Sequence, residues 1–370
     1  MDFELSEDQL ALRKAAEDLL AAQSSSIRVR QAGQSPDHFD RELWQAMAEQ
    51  GWAAVEVPEA DGGLGLGAVE VSVLCEALGR HVSPVPYLGT VLTVGALLRS
   101  SSSPPSSSSS GAAADWIERL ASGQAVGAVS WPARPGALVA EGEGEHWRLT
   151  GRSDPVVFAP VADVVLAPAL TADGNALFLL EPDKPVPEPA MDLTRSLGRH
   201  DLRGEPAMRL GGADAVDALL DRAAAGLCAE MLGAAGRVLE QSVDYAKDRV
   251  QFGRPIGSFQ AVKHRCADML VDVEGMRSAA YYAAWAVGAS DPDASAAASA
   301  AKVWCSDASS RVMASGLQVH GGIGFTWEHD LHLFVKRAQL DQISFGDARF
   351  HRDRIAEILR PRAEAGLPVL

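Results

Sequence analysis

Read for the spacing of its apolar residues, the chain changes period twice. Up to about residue 99, apolar positions recur at intervals of three and four, as in helices that bury one face. Ser6 with Gln9 three positions on has the form of a capping box. The helix it opens can gather Leu10, Ala11, Ala15, Leu19 and Leu20 on one side. A second helix is expected through Phe39, Leu43, Trp44 and Met47, with Gly51 placed to end it. The stretch 57–67 holds too many glycines for regular structure, and two more helices are expected near 68–81 and 87–99.

From about 123 to 210 the period shortens. Short apolar runs at 125–131, 147–150, 156–159, 163–167 and 176–180 alternate with Gly, Pro and Asp, the signature of a small antiparallel barrel or sandwich. From Ala213 the helical period returns. Ala224, Leu227, Cys228, Met231, Leu232, Ala235, Val238 and Leu239 fall on one stripe, while Glu230, Arg237, Gln241, Asp244 and Asp248 fall elsewhere and read as solvated charges and amides. Further helices are expected from Ser258 through Ala280, from 294 to 317 and around 351–359, giving a four-helix bundle. The fold class predicted is α+β and mostly α. Its three domains would be helical (1–122), a β-domain (123–212) and a helical bundle (213–370).

One segment stands outside this pattern. Residues 100–111 hold nine serines around Pro104 and Pro105, with no apolar face to offset the entropy of ordering. An interdomain hinge and a surface loop inside a helical domain both fit, and the helical pattern resuming at Trp116–Leu120 favours the loop.

Composition narrows the classes of partner. The 370 residues are 47% hydrophobic and 22% charged, as in globular proteins. Lys and Arg number 33 against 49 Asp and Glu, a net charge of −16. That balance argues against nucleic acid and against anionic membrane surfaces. The four cysteines are widely spaced, lack any C-x-x-C pairing and read as small buried apolar residues. The acidic first ten residues show no targeting signal, and no apolar run is long enough to span a bilayer, so a cytoplasmic protein is expected.

The most informative chemistry lies at 248–269. Arg249, Gln251, Phe252, Gly253, Phe259 and Gln260 surround a charged turn between two helices. About sixty residues later come Gln318, Val319, His320, Gly321 and Gly322. An arginine for phosphate, a helix start with an aromatic–Gln pair and a bare glycine turn are suited to gripping a dinucleotide. Glu328, His329, Asp330 and His332 lack the spacing of a metal-binding helix and read as a polar surface cluster.

Together these features resemble the acyl-CoA dehydrogenase family over nearly the whole chain, most strongly across 224–354. The resemblance implies FAD as cofactor, an acyl-CoA substrate desaturated between Cα and Cβ, and an electron-transferring flavoprotein as acceptor. It implies that Arg249 reaches the pyrophosphate of a neighbouring subunit's flavin, with Val250, Gln251 and Phe252 in the same strip. Phe259 and Gln260 would flank the adenine end, and Gln318–Gly322 would form the close glycine turn.

Three departures from the family pattern bear on function. The Tyr-Glu-Gly-Thr segment that carries the base corresponds here to Ser344-Phe345-Gly346-Asp347. The alternative base position on the first bundle helix is Ala223. The Leu-Thr-Glu-Pro, Gly-Ser-Asp and Trp-Ile-Thr segments that face the flavin ring are replaced at 129–137 and 153–158. Asp347 is the one substitute base in reach, although an aspartate at such a turn is more often a cap. A strip kept for a neighbour's cofactor, beside a lost base and ring pocket, resembles the degenerate subunit of heteromeric (α2β2) actinobacterial steroid acyl-CoA dehydrogenases. The alternatives are a self-sufficient homotetramer using Asp347, a non-catalytic structural paralogue, and a flavin monooxygenase on the same fold.

Overall fold

The computed structural model describes residues 4–101, 109–132, 134 and 136–367. Helices α1 (Glu7–Gln23), α2 (Ser26–Gln34), α3 (Arg41–Glu49), α4 (Ala68–His81), α5 (Tyr87–Ser101) and α6 (Ser109–Ala121) come first. Strands β1 (Gly127–Val129), β2 (Leu138–Glu143), β3 (His146–Arg152) and β4 (Val156–Val157) follow, then β5 (Val164–Thr171), β6 (Gly174–Leu180), β7 (Leu197–Gly198) and β8 (Asp201–Gly211). Helix α7 (Ala213–Asp248) leads into a hairpin of β9 (Val250–Gln251) and β10 (Arg254–Pro255). Helices α8 (Gln260–Gly288), α9 (Ala294–His320), α10 (Leu331–Ile343) and α11 (Ala348–Glu364) complete the order. The mostly helical α+β architecture matches the expectation. By contact the chain forms two compact units, one drawn from 1–26, 72–83 and 224–370, the other from 27–71 and 84–223.

The first unit is helical apart from the β9–β10 hairpin. Ser6 and Gln9 form the expected capping box on α1, but the buried stripe there is Ala16 and Leu20, with Leu10 left exposed. Helix α7 also differs from its expected one-sided face: Ala223 to Ala235 is buried all round. The reason is close helix packing. A Cβ on Gly79 of α4 would lie 2.0 Å from the Glu230 carbonyl oxygen, and one on Gly233 would lie 1.8 Å from that of Glu76. The α4 and α7 backbones therefore cross at two glycines, and no larger residue fits either place.

Glu230 is the sharpest correction. Expected as a solvated charge, it is 3% exposed and accepts a 2.5 Å hydrogen bond from Nη1 of Arg337, itself 0% exposed on α10. The charge is kept inside because its partner is inside too.

In the second unit, hydrogen-bond pairing runs β5–β2–β3–β8–β6 and back to β5, closing a small barrel, with β1 added beside β5. Most pairs are antiparallel; β1–β5 and β2–β5 are parallel. Leu138, Ala140, Trp147, Leu149 and Phe178 are buried, and the Trp147 and Phe178 rings sit 5.5 Å apart. Helix α5 packs on β1 through small residues: the Gly127 carbonyl oxygen lies 2.8 Å from where a Gly89 Cβ would be. Asp40 caps α3 and Gly51 follows it at φ +76°, as its sequence position suggested, while Phe39 stays outside the helix. Of the Ser-rich segment, Ser100 and Ser101 end α5 and 109–111 open α6; the expected loop at 102–108 lies outside the described residues. Cys75, Cys228 and Cys305 are buried as expected, whereas Cys266 is partly exposed. No helix among the described residues is long and apolar enough to cross a membrane.

Candidate flavin-grip site and the lost base

Helix α7 ends at Asp248, and the chain turns back at once. The N–H of Ile256 donates to the Arg249 carbonyl oxygen at 2.8 Å, closing a short loop over the β9–β10 hairpin. Its two turn residues, Phe252 and Gly253, have φ of +55° and +78°. Positive φ at both central positions is the geometry of a type I′ turn, which fits the twist of a hairpin. That turn projects Phe252 outward to 92% exposure, with Val250 beside it also exposed. Arg249 is exposed and makes no ion pair with a described residue. Gln251 is exposed too, its Nε2 donating to the Val250 carbonyl oxygen.

Phe259 stands just before α8. Its ring meets Phe252 edge-on at 6.0 Å, and the Arg254 guanidinium lies 4.2 Å from its centroid. Gln260 is the exposed first residue of α8, a helix start with no side-chain cap. The positive end of a 29-residue helix thus faces outward near Arg249, a setting that favours anions.

The glycine turn reaches the same place from another helix. Tyr245, one turn before Arg249 on α7, stacks on His320 at the end of α9, with centroids 4.7 Å apart. Nδ1 of His320 donates to the Gly316 carbonyl oxygen at 2.8 Å, burial lowers the imidazole's pKa, and His329 packs edge-on against it. Gly321, at φ +62°, and Gly322 have nothing within 4 Å of a built Cβ, so the backbone is bare on its outer side. Gln318 is exposed and Val319 buried. Arg249, Gln251, Phe252, Phe259, Gln260 and the 318–322 turn thus gather at one end of the helical unit, through the Tyr245–His320 stack. Neither Tyr245 nor Arg254 is marked out by sequence spacing alone.

The turn at the family's base position lies elsewhere. Phe345 and Gly346 join α10 to α11, with φ of +56° and +94°. For a bulky aromatic residue this left-handed backbone is unusual and must be held from outside. Two buried side chains hold it. Lys302 Nζ donates to the carbonyl oxygens of Gln342 and Gly346, each at 3.0 Å, and His351 Nε2 donates to that of Phe345 at 3.0 Å. Both have 0% exposure. Burial lowers the Lys302 pKa, and burial beside Lys302 brings His351 down to about 4. The lone lysine in the Ala-rich run of α9 was the one sequence signal for this network.

Asp347 is exposed and serves as the N-cap of α11, accepting from the Phe350 N–H at 2.8 Å. Ala223 is fully buried and offers no acid–base group. Lys302 and His320 stand eighteen residues apart on α9, about 27 Å along the helix axis at 1.5 Å per residue. The glycine turn and the base-position turn of one chain therefore do not converge. At the barrel, the Ser153 hydroxyl accepts from the His200 N–H at 2.9 Å, and the Ser153 N–H donates to the His200 carbonyl oxygen. Of the other replaced ring-facing segment, Ala133 and Pro135 lie outside the described residues. Among the described residues no group of three His, Cys, Asp or Glu is disposed to hold a metal ion.

The comparisons with known proteins agree with the fold. The acyl-CoA dehydrogenase N-terminal domain family matches residues 6–104, and the acyl-CoA dehydrogenase C-terminal domain family matches residues 211–359. The acyl-CoA dehydrogenase IpdE2 of Mycolicibacterium smegmatis is 35% identical over 339 residues, covering 90% of this chain and 93% of the relative. Among solved structures, the ChsE4–ChsE5 complex from Mycobacterium tuberculosis matches with a TM-score of 0.89 at 33% identity, over 100% of both chains. The steroid ACAD Tcur3481–Tcur3483 matches with a TM-score of 0.89 at 28% identity, over 97% of this chain and 99% of that one. With helices, barrel and bundle in the family's order and both family domains matched in sequence, the chain belongs to the acyl-CoA dehydrogenases, an FAD-dependent oxidoreductase family.

Proposed function

We propose that this chain is one subunit of a heteromeric (α2β2) acyl-CoA dehydrogenase, lending the phosphate grip for a flavin whose ring and catalytic base lie on a second, related chain. The observation that carries this reading is the pairing of an exposed hairpin at 249–255, whose Arg249 makes no ion pair with a described residue, with a base position filled by Phe345. Arg249 would hold the pyrophosphate by charge-assisted hydrogen bonds, the start of α8 would add its dipole, and Gly321–Gly322 would let the backbone approach. Bound FAD supplies the two-electron acceptor that acyl-thioester desaturation needs. Electrons would pass onward to an electron-transferring flavoprotein.

A steroid side-chain CoA ester is the substrate class this reading favours, since the similar proteins include a steroid ACAD and a two-component complex. The rival in which Asp347 serves as base is disfavoured, because its carboxylate already caps α11. Asparagine caps helices as well as aspartate does but accepts no proton at neutral pH. Asp347→Asn in the co-purified complex should therefore leave turnover within about twofold of the wild type. Loss of turnover with flavin retained would instead assign the base to this chain.

A further inference from the structure

One side chain at the flavin-grip end carries a polar group that the fold leaves unused. Tyr245 lies in the last turn of α7, half-buried, with its ring stacked on that of His320 at 25° between planes. The stack needs only an aromatic ring. His320 is also held by its hydrogen bond to the Gly316 carbonyl oxygen and by the edge of His329, so a phenylalanine at 245 would serve the packing as well. The Tyr245 hydroxyl makes no hydrogen bond with a described residue and is not enclosed, so it can be reached from outside.

Its neighbours are those of an anion site. The Arg249 N–H donates to the Tyr245 carbonyl oxygen at 2.9 Å, which carries the helical turn past the end of α7. Two residues four apart on one helical turn lie on the same face, and Arg249 is exposed. His320 directly precedes Gly321 and Gly322, where nothing lies within 4 Å of a built Cβ. Room for a ligand is therefore present beside a guanidinium and a phenol. On the proposed flavin grip, we infer that Tyr245 is a second ligand of the same pyrophosphate. Its hydroxyl donates to a phosphate oxygen, while Arg249 supplies the charge. The His320 stack fixes the ring, so little side-chain freedom is lost when the anion arrives.

Equilibrium dialysis of FAD, ADP and adenosine against the two-chain complex, freed of its flavin, tests this. Tyr245→Phe keeps the stack and removes only the hydroxyl. FAD and ADP both carry the pyrophosphate, and each should bind about tenfold more weakly, the loss of one hydrogen bond to an ionised acceptor. Adenosine should bind equally to variant and wild type. The melting temperature of the flavin-free complex should stay within about 2 °C, because the fold makes no use of the hydroxyl. Unchanged FAD affinity in Tyr245→Phe, with Arg249→Ala still weakening it, overturns the role of Tyr245 and leaves the flavin grip standing. Unchanged affinity in both variants overturns the grip itself. An equal loss for adenosine would move the contact off the phosphates, and a larger fall in melting temperature would assign the hydroxyl to the fold. Either result also overturns the role of Tyr245.

Discussion

His351 shows how far a single buried group can set pH sensitivity. Its Nε2–H is spent on the Phe345 carbonyl oxygen, and its Nδ1 is enclosed without a partner. In the folded chain its pKa falls from 6.5 to about 4, through burial and the nearby Lys302. The folded pKa is depressed, so between those values the unfolded chain binds a proton that the folded one does not. Stability should therefore be full above about pH 6.5 and fall progressively down to about pH 4. The loss is on the order of 3 kcal/mol from this residue. Urea unfolding at pH 7 and at pH 4.5 measures it, and His351→Gln should flatten the difference while keeping a donor for Phe345. An equal pH dependence in that variant would move the effect to other groups. Arg249 is the opposite kind of residue: exposed and unengaged, it does little for the fold. Arg249→Ala should leave the melting temperature within about 2 °C while lowering the flavin content of the complex at least tenfold, read from the visible absorption band. Unchanged flavin content would leave the exposed strip without its proposed task.

Among the elements, the α4–α7 crossing is the place where sequence constrains structure most tightly. Gly233→Ala would push a methyl group to within 1.8 Å of the Glu76 carbonyl oxygen, so one of the helices must shift. A cost of about 3 kcal/mol is expected in denaturant unfolding. Gly236, on the same helix with nothing within 4 Å, should accept alanine with no loss or a gain of up to about 1 kcal/mol. Equal effects at the two positions would contradict the close crossing. What the sequence disclosed about elements follows from the same physics. Where one face is buried, as in α3, spacing and the glycine after its end reveal the helix. Short α2 (SIRVRQAGQ) is largely polar and carries no cap signal, so it went unread. Strand β8, the longest, is mostly half-exposed and lacks the apolar run expected of a strand. Helix α10 was masked by the polar residues before it, although it supplies the buried Arg337. Burial of Glu230 is hidden from spacing for a related reason: a helical wheel gives the side of a residue, and α7 is buried on every side at that level. Among the candidate site residues, the glycine turn and the Arg249 hairpin were legible because their types and offsets are unusual. Lys302 and His351 depend on tertiary pairing that spacing does not encode.

Across the complete chain, the proposed function is a division of labour between two unlike subunits. The strip at one end of the helical unit has the surface chemistry for a dinucleotide's phosphates, while the turn at the family's base position carries Phe345 and lies about 27 Å away along α9. In the proposed assembly a second, related chain supplies the base that Phe345 replaces here, together with the ring pocket. The most direct measurement is the flavin count per chain, taken on this chain expressed alone and on its complex with the partner. The account predicts essentially no flavin on the chain alone and one FAD for every two chains in the complex. One tightly held FAD per copy of this chain, with acyl-CoA turnover in the absence of any partner, would contradict it.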